Sequence, residues 1–152
     1  MLSLRQMMIL RGACHCGQVE VTLETAMSVM DLPLRACGCS FCRRHGTKAV
    51  ADPNGRLSIS APPNGLNRYR FGLRTADYLI CRTCGAYVAA VISGNDEERA
   101  TLNVTATGIS ELADRPAEQV DYDRESVEGR RARRLTSWTP SRIVHRAQVE
   151  VG

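Results

Sequence analysis

Large rings are scarce in this sequence, which has two Phe, four Tyr and one Trp in 152 residues, too few to supply much of a core. Long apolar runs are missing as well. Met7-Met8-Ile9-Leu10 lies between Arg5 and Arg11, far short of the roughly 18 residues that read as a membrane span, so no membrane partner is expected. The first residues lack the basic start, long apolar centre and small-residue cleavage site of a secretory signal, and a reducing, cytoplasmic setting is the expectation. Strong charge of one sign is also absent. The formal net charge is +4 with both signs scattered along the chain, which argues against nucleic acid or anionic lipid and leaves small anionic substrates open. No internal repeat or low-complexity segment is present.

What remains is an ordinary globular composition, 43% hydrophobic and 24% charged, at a length that suits one domain over 1–152. With so few rings, metal ligation is expected to help hold the core. Alternation of apolar and polar residues at Val19–Leu23, Leu57–Ser60 and Asn67–Phe71 predicts half-buried strands. Tyr78-Leu79-Ile80 and Tyr87–Ile92 are more continuously apolar and flank a turn, which predicts a hairpin with Cys81 and Cys84 at its tip. Asp52-Pro53-Asn54-Gly55 and Pro62-Pro63-Asn64-Gly65 supply tight turns. The fold class is therefore mainly β, with the first two thirds in small antiparallel sheets.

The tail reads differently. Ser126–Leu135 holds helix formers behind an N-cap serine and shows no strand alternation, so one short C-terminal helix is expected. Its arginine run reads as a solvated face balanced by Asp121, Asp123, Glu125 and Glu128. Trp138 is expected to be a packing anchor.

The chemistry lies in the seven cysteines, which fall into Cys14-His15-Cys16-Gly17, Cys37-Gly38-Cys39-Ser40-Phe41-Cys42 and Cys81-Arg82-Thr83-Cys84-Gly85. Residues two apart on a strand point to opposite faces, so a CxC pair shares one ion only where the backbone bends; Gly17 and Gly38 permit that. The CxxCG run is a knuckle whose tight turn aims both sulfurs at one ion. A structural zinc wants four ligands, and Cys14, Cys16, Cys81 and Cys84 close such a site while tying distant strands together. Cys37, Cys39 and Cys42 are then left with an open position, the arrangement of a catalytic or ligand-accepting zinc. Two zinc ions per chain follow. Spacing also allows Cys14 and Cys16 to join two of the trio, or His45 to act as a fourth ligand. Disulfides would need an oxidising compartment and would leave one cysteine over, and the knuckle pairs suit zinc better than an iron-sulfur cluster. Two purely structural zincs are the plainest alternative.

Gly12-x-Cys14-x-Cys16-Gly17, Cys37-x-Cys39-Ser40-x-Cys42-Arg43-Arg44 and Cys81-x-x-Cys84-Gly85, in this order and spacing, resemble the glutathione-dependent formaldehyde-activating enzyme family, which includes centromere protein V. The resemblance spans about residues 10–125 and leaves 126–152 as an extension. It implies a tent-like, mainly β fold around zinc, a structural ion at Cys14, Cys16, Cys81 and Cys84, and a catalytic one at Cys37, Cys39 and Cys42. It also implies a reaction, the addition of glutathione to formaldehyde to give S-hydroxymethylglutathione, a carbon–sulfur lyase reaction in reverse. One departure from the family pattern follows Gly85, where Ala86-Tyr87-Val88 is more apolar than the stretch many members carry.

An open position on a three-thiolate zinc suits that chemistry, because it can hold the glutathione sulfur as thiolate near neutral pH. Three protein thiolates already exceed the charge of zinc, so a fourth is a subdued nucleophile and the site is expected to hold glutathione more than to activate it. The carboxylates of glutathione need cationic partners, and Arg43, Arg44 and Lys48 follow the trio. His45 is a candidate proton shuttle. His15, inside a knuckle, and His145, in the tail, are assigned no role. The competing reading is a non-catalytic zinc module that binds glutathione or a protein.

Overall fold

The computed structural model describes residues 7–94 and 96–146. Alternation forms the first strands as expected. In β2 (Glu20–Thr25) Val21, Leu23 and Thr25 are buried, and in β5 (Arg56–Ala61) Leu57, Ile59 and Ala61 are. The two pair antiparallel with Val21 opposite Ile59 and Leu23 opposite Leu57, so the inward side chains meet across the ladder. β1 (Met8–Ala13) lies on the other edge of β2.

β3 (Leu34–Cys37) leads into the five-residue helix α1 (Ser40–Arg44), and β4 (Ala49–Val50) follows. β6 (Leu66–Tyr69), β7 (Asp77–Cys81) and β8 (Tyr87–Ser93) form a meander whose second hairpin carries Cys81 and Cys84 at its turn. β9 (Glu98–Asn103) is the junction of the fold: β8 runs along one edge, and β11 (Thr139–His145) followed by β4 along the other. Between β9 and β11 come the short helices α2 (Val104–Thr107) and α3 (Ser110–Ala113), then β10 (Glu118–Val120) and α4 (Val127–Ser137).

The protein is mainly β, with the C-terminal helix where it was expected and Ser126 as its N-cap, the hydroxyl accepting from the Gly129 N–H at 3.0 Å. Two details differ from the expectation. The strands join one mixed sheet instead of several small antiparallel ones, because β10 pairs parallel with β3 and β11 parallel with β5. And the final third adds strands of its own. β11 escapes a sequence pattern because Pro140 interrupts it; the proline is tolerated near the strand's start, where a missing donor costs least.

Two clusters make up the interior. The larger is aliphatic, built on Leu10, Val21, Leu23, Ile59, Leu79 and Leu102 among others, and contains no ring. The smaller holds Tyr87, Trp138, Ala51, Ala76, Ala90 and Ile92, with Phe41, Tyr78 and Leu135 against it. β8 separates them. Ala89 and Val91 face the aliphatic cluster, and Ala90 and Ile92 face the aromatic one. Strict alternation would turn Tyr87 toward the aliphatic side, but the register slips: Leu79 pairs with Ala89 while Ile80 pairs with Tyr87. Val88 is thus an extra residue, and this bulge re-aims Tyr87 onto the aromatic side.

Candidate functional site

The structure gathers the seven cysteines into two groups, Cys14 with Cys16, Cys81 and Cys84, and Cys37 with Cys39 and Cys42, the sulfurs in each lying within 4.8 Å of one another. All seven are free thiols. Each group can hold a metal ion. The grouping separates the first CxC pair from the trio, and His45 is not gathered with it.

The quartet is made by two turns, one residue different in length, that each close on a glycine. Gly17 donates to the Cys14 carbonyl and Gly85 to the Cys81 carbonyl, both at 2.9 Å. Both glycines sit at left-handed φ, 83° and 78°, a conformation that costs glycine least. The Cys16 sulfur lies 3.6 Å from those of Cys14 and Cys81, and the Val19 N–H donates to the Cys14 sulfur at 3.3 Å. Cys14 and Cys81 belong to the aliphatic cluster and Cys84 packs against it. Burial pushes the Cys81 thiol up to about 12. Burial also opposes the Cys84 thiolate, but the N–H groups of Cys16 and Ala86 and the thiols of Cys81 and Cys14 outweigh it and bring it down to about 6.

The trio is built by the end of β3 and the start of α1. Cys39 is the N-cap of α1, its sulfur accepting from the Cys42 N–H at 3.4 Å. Gly38, expected to supply a bend, stays outside the left-handed region; the helix start turns the chain instead. Hydrogen bonds from the Cys37 and Cys42 thiols hold Cys39 down to about 2. The same sharing raises Cys37 and pushes the buried Cys42 far up. Each group therefore contains one sulfur held toward thiolate, Cys84 or Cys39, and one held toward thiol, Cys81 or Cys42.

Cys37 and Cys42 open onto a cleft of about 70 Å³. Its floor is narrow-bodied, with Ala49, Ala51 and Ala90, and two of its walls are Tyr78 and Tyr87. Tyr122, Arg133, Arg134 and Trp138 close the far side from beyond β10. Burial drives Tyr78 up to about 12 and holds Tyr87 well above its ordinary value. Phe41 stacks with Phe71 and Tyr69, at 5.1 and 5.7 Å between centroids, and meets Tyr78 and Tyr87 edge-on at 4.9 Å. All seven aromatic residues of the chain are thus in the stack beside the trio or in the cleft wall.

The arginines expected on a solvated face divide. Arg131 is exposed. Arg133 lies over the Tyr122 ring, 3.5 Å from its centroid, and forks onto Glu125 at 2.8 and 2.9 Å. Arg134 is only 4% exposed. It donates to Thr75 Oγ1 at 2.7 Å and lies over the Trp138 ring, and its Nε is buried with no partner. Among the described residues no carboxylate pairs with it. Thr47 Oγ1, also in the cleft wall, is another buried polar atom without a partner. Trp138 is buried as expected of an anchor, and it is cleft wall as well.

The remaining sequence candidates lie outside the cleft. Arg43 and Arg44 are exposed and border a separate shallow pocket with Ser40. Lys48 turns away from the trio, its Nζ donating to the carbonyls of Ala113 and Arg115 at 3.0 and 2.9 Å, where it caps the end of α3. His45 is exposed, with Nδ1 2.9 Å from the Phe41 carbonyl and its ring 4.3 Å from the Phe41 ring. His15 is exposed in its knuckle, and His145 is exposed at the end of β11. The residues that sequence reasoning missed, Thr47, Tyr78, Tyr87 and Arg134, come from distant segments; the only local signal was the spacing by four of Arg130, Arg134 and Trp138, one face of a helix.

Comparison with known proteins bears on this geometry. Residues 9–122 match the family described as glutathione-dependent formaldehyde-activating enzyme. A solved structure of a Rhodobacter sphaeroides protein is similar, with 35% identity over 72% of this chain and 99% of that one and a TM-score of 0.56. No curated protein matches. The family match contains both cysteine groups and stops before α4 and β11.

Proposed function

The chain belongs to the glutathione-dependent formaldehyde-activating enzyme family, and from that premise we propose that it is a zinc-dependent, carbon–sulfur lyase-like enzyme handling glutathione and formaldehyde or a related aldehyde adduct. The observation that carries this reading is the difference in setting between the two cysteine groups, one rooted in the aliphatic core through Cys14 and Cys81 with Cys16 at the surface, the other opening onto a cleft. The donors suit zinc. Sulfurs about 2.3 Å from a tetrahedral zinc lie about 3.8 Å apart, and the quartet already holds sulfurs 3.6 Å apart. Seven thiols fit a reducing, cytoplasmic setting.

Cys14, Cys16, Cys81 and Cys84 would hold a structural ion, and Cys37, Cys39 and Cys42 a second one with a free position. When bound at the trio, zinc supplies a Lewis acid that can keep a thiol sulfur in its thiolate form. The protein's own contribution is positional and electrostatic. Arg43 and Arg44, exposed beside Cys42, are the proposed partners of the glutathione carboxylates outside the cleft. Tyr78, held protonated by its burial, is placed to donate to the carbonyl oxygen as the carbon–sulfur bond forms and negative charge develops there. The Phe41 stack keeps water from that side of the site. The thiol proton ends on the new hydroxyl, and the reaction needs neither oxidant nor reductant.

The test is adduct formation from glutathione and labelled formaldehyde, followed by NMR for the wild type and Cys42→Ser. The reading predicts acceleration by the wild type and loss of that acceleration in a folded variant. Equal rates with and without wild-type protein would leave a non-catalytic zinc module.

A further inference from the structure

Formaldehyde is a single carbon, and the cleft beside the trio is built for more. The proposed glutathione partners Arg43 and Arg44 line a separate pocket. What the cleft offers is flat aromatic wall, alanine-sized floor and three arginines, of which Arg134 is buried and Arg35 and Arg133 are half-buried. Arg134 is nine-tenths and more buried, has no carboxylate partner among the described residues, and leaves Nε without an acceptor. No sulfur of the trio is within hydrogen-bond reach of it among the described residues, and its neighbour Arg133 is already matched by Glu125. A guanidinium taken out of water without a counterion is costly unless an anion completes it. The second unmet polar atom of the wall, Thr47 Oγ1, is a donor as well as an acceptor, so apart from the trio's sulfurs the wall presents hydrogen-bond donors and no carboxylate.

We propose that the cleft binds the carbonyl partner of the reaction, and that this partner is an aldehyde carrying a carboxylate on a flat apolar body, with Arg134 as the residue that selects the anion. The inference rests on the reading that the trio is the reacting site, and it specifies which aldehyde class the site takes. Addition remains balanced: the glutathione sulfur bonds to the aldehyde carbon, the π electron pair moves onto the oxygen and takes up the proton the thiol gave up, and the carboxylate is unchanged. Ala49, Ala51 and Ala90 make room for the flat body, and Tyr78, Tyr87 and Trp138 supply rings against it. Arg134 and Trp138 come from the segment beyond residue 122, where the family match ends.

Trp138 is the chain's single tryptophan and part of the wall, so its fluorescence reports occupancy directly, with no turnover needed. The zinc-loaded protein is titrated, without glutathione, with para-formylbenzoate, with benzaldehyde, which lacks the anion, and with glyoxylate, which lacks the ring. The expected result is saturable quenching by para-formylbenzoate, with the other two at least about tenfold weaker. Arg134→Met should bring para-formylbenzoate down to the benzaldehyde level, and Arg134→Lys should restore part of the difference. If circular dichroism shows Arg134→Met unfolded, Thr47→Val replaces it, with weaker para-formylbenzoate binding expected and benzaldehyde unchanged. Equal binding of benzaldehyde overturns the role of Arg134, equal binding of glyoxylate overturns the flat body, and no quenching by any probe overturns the site. The same titration of Cys42→Ser separates this inference from the proposed reaction. Retained quenching without adduct formation in the wild type would sink the reaction and leave the site.

Discussion

The same ligand chemistry appears twice in this protein, and the surroundings make two different things of it. The quartet sits where β1 and β7 end, joined to the aliphatic core through Cys14 and Cys81 and shaped by two turns that each close on a left-handed glycine. The trio sits on a helix start, beside an aromatic stack and a cleft. Four ligands drawn from segments about 65 residues apart staple the fold, whereas three ligands within six residues of sequence constrain little of it. Coordination number and chain separation thus divide the work: the distant set stabilises, and the local set is free to react.

The largest predicted effect breaks this comparison most directly. Cys84→Ser opens the staple and should cost roughly 5 kcal/mol or more, unfolding much of the chain at ordinary temperature. Cys42→Ser should cost less than about 2 kcal/mol and leave a cooperative thermal transition. Melting followed by circular dichroism gives both values, and similar losses in the two variants would mean the groups do the same job.

A smaller effect sharpens the functional half. Ala90→Leu pushes a branched side chain from β8 into the cleft floor. Overpacking there should cost about 1–3 kcal/mol and should weaken para-formylbenzoate binding while leaving the quartet's metal in place. Full binding in that variant would mean that the floor does not bound the ligand.

The smallest effect concerns how α4 is held against the cleft. Hydrogen bonds from Arg133 depress the Glu125 carboxyl in the folded state below its ordinary 4.5. A group depressed on folding contributes stability above its unfolded value and loses it as pH falls through the folded one. Acid should therefore remove up to about 1 kcal/mol below roughly pH 4.5, given the pair's partial exposure. Glu125→Gln should show a shallower acid decline than the wild type in melts taken at stepped pH. Parallel declines would show that the pair holds nothing.

How much of this was legible in the sequence follows from the range of the interactions. The cysteine turns are local, a few residues with a glycine at the left-handed position, and both were readable, as was the hairpin between Tyr78 and Ile92. The serine N-cap of α4 was readable for the same reason. The parallel placements of β10 and β11 depend on partners far away in sequence and left no local trace. The turning of Tyr87 toward the cleft depends on one bulged residue, Val88, in a run that reads as uniformly apolar. Arg134 was hidden by its neighbours, because four arginines between 130 and 134 and the nearby acids look like a solvated face, and only burial against Trp138 and Thr75 distinguishes it.

The central claim is that the two cysteine groups hold metal independently and for different ends. Elemental analysis of freshly purified wild type and Cys42→Ser, with glutathione added to each, tests it most directly. The account predicts two zincs per chain in the wild type and one in a folded variant that no longer takes up glutathione. One zinc in both, with no difference in glutathione binding, would contradict it.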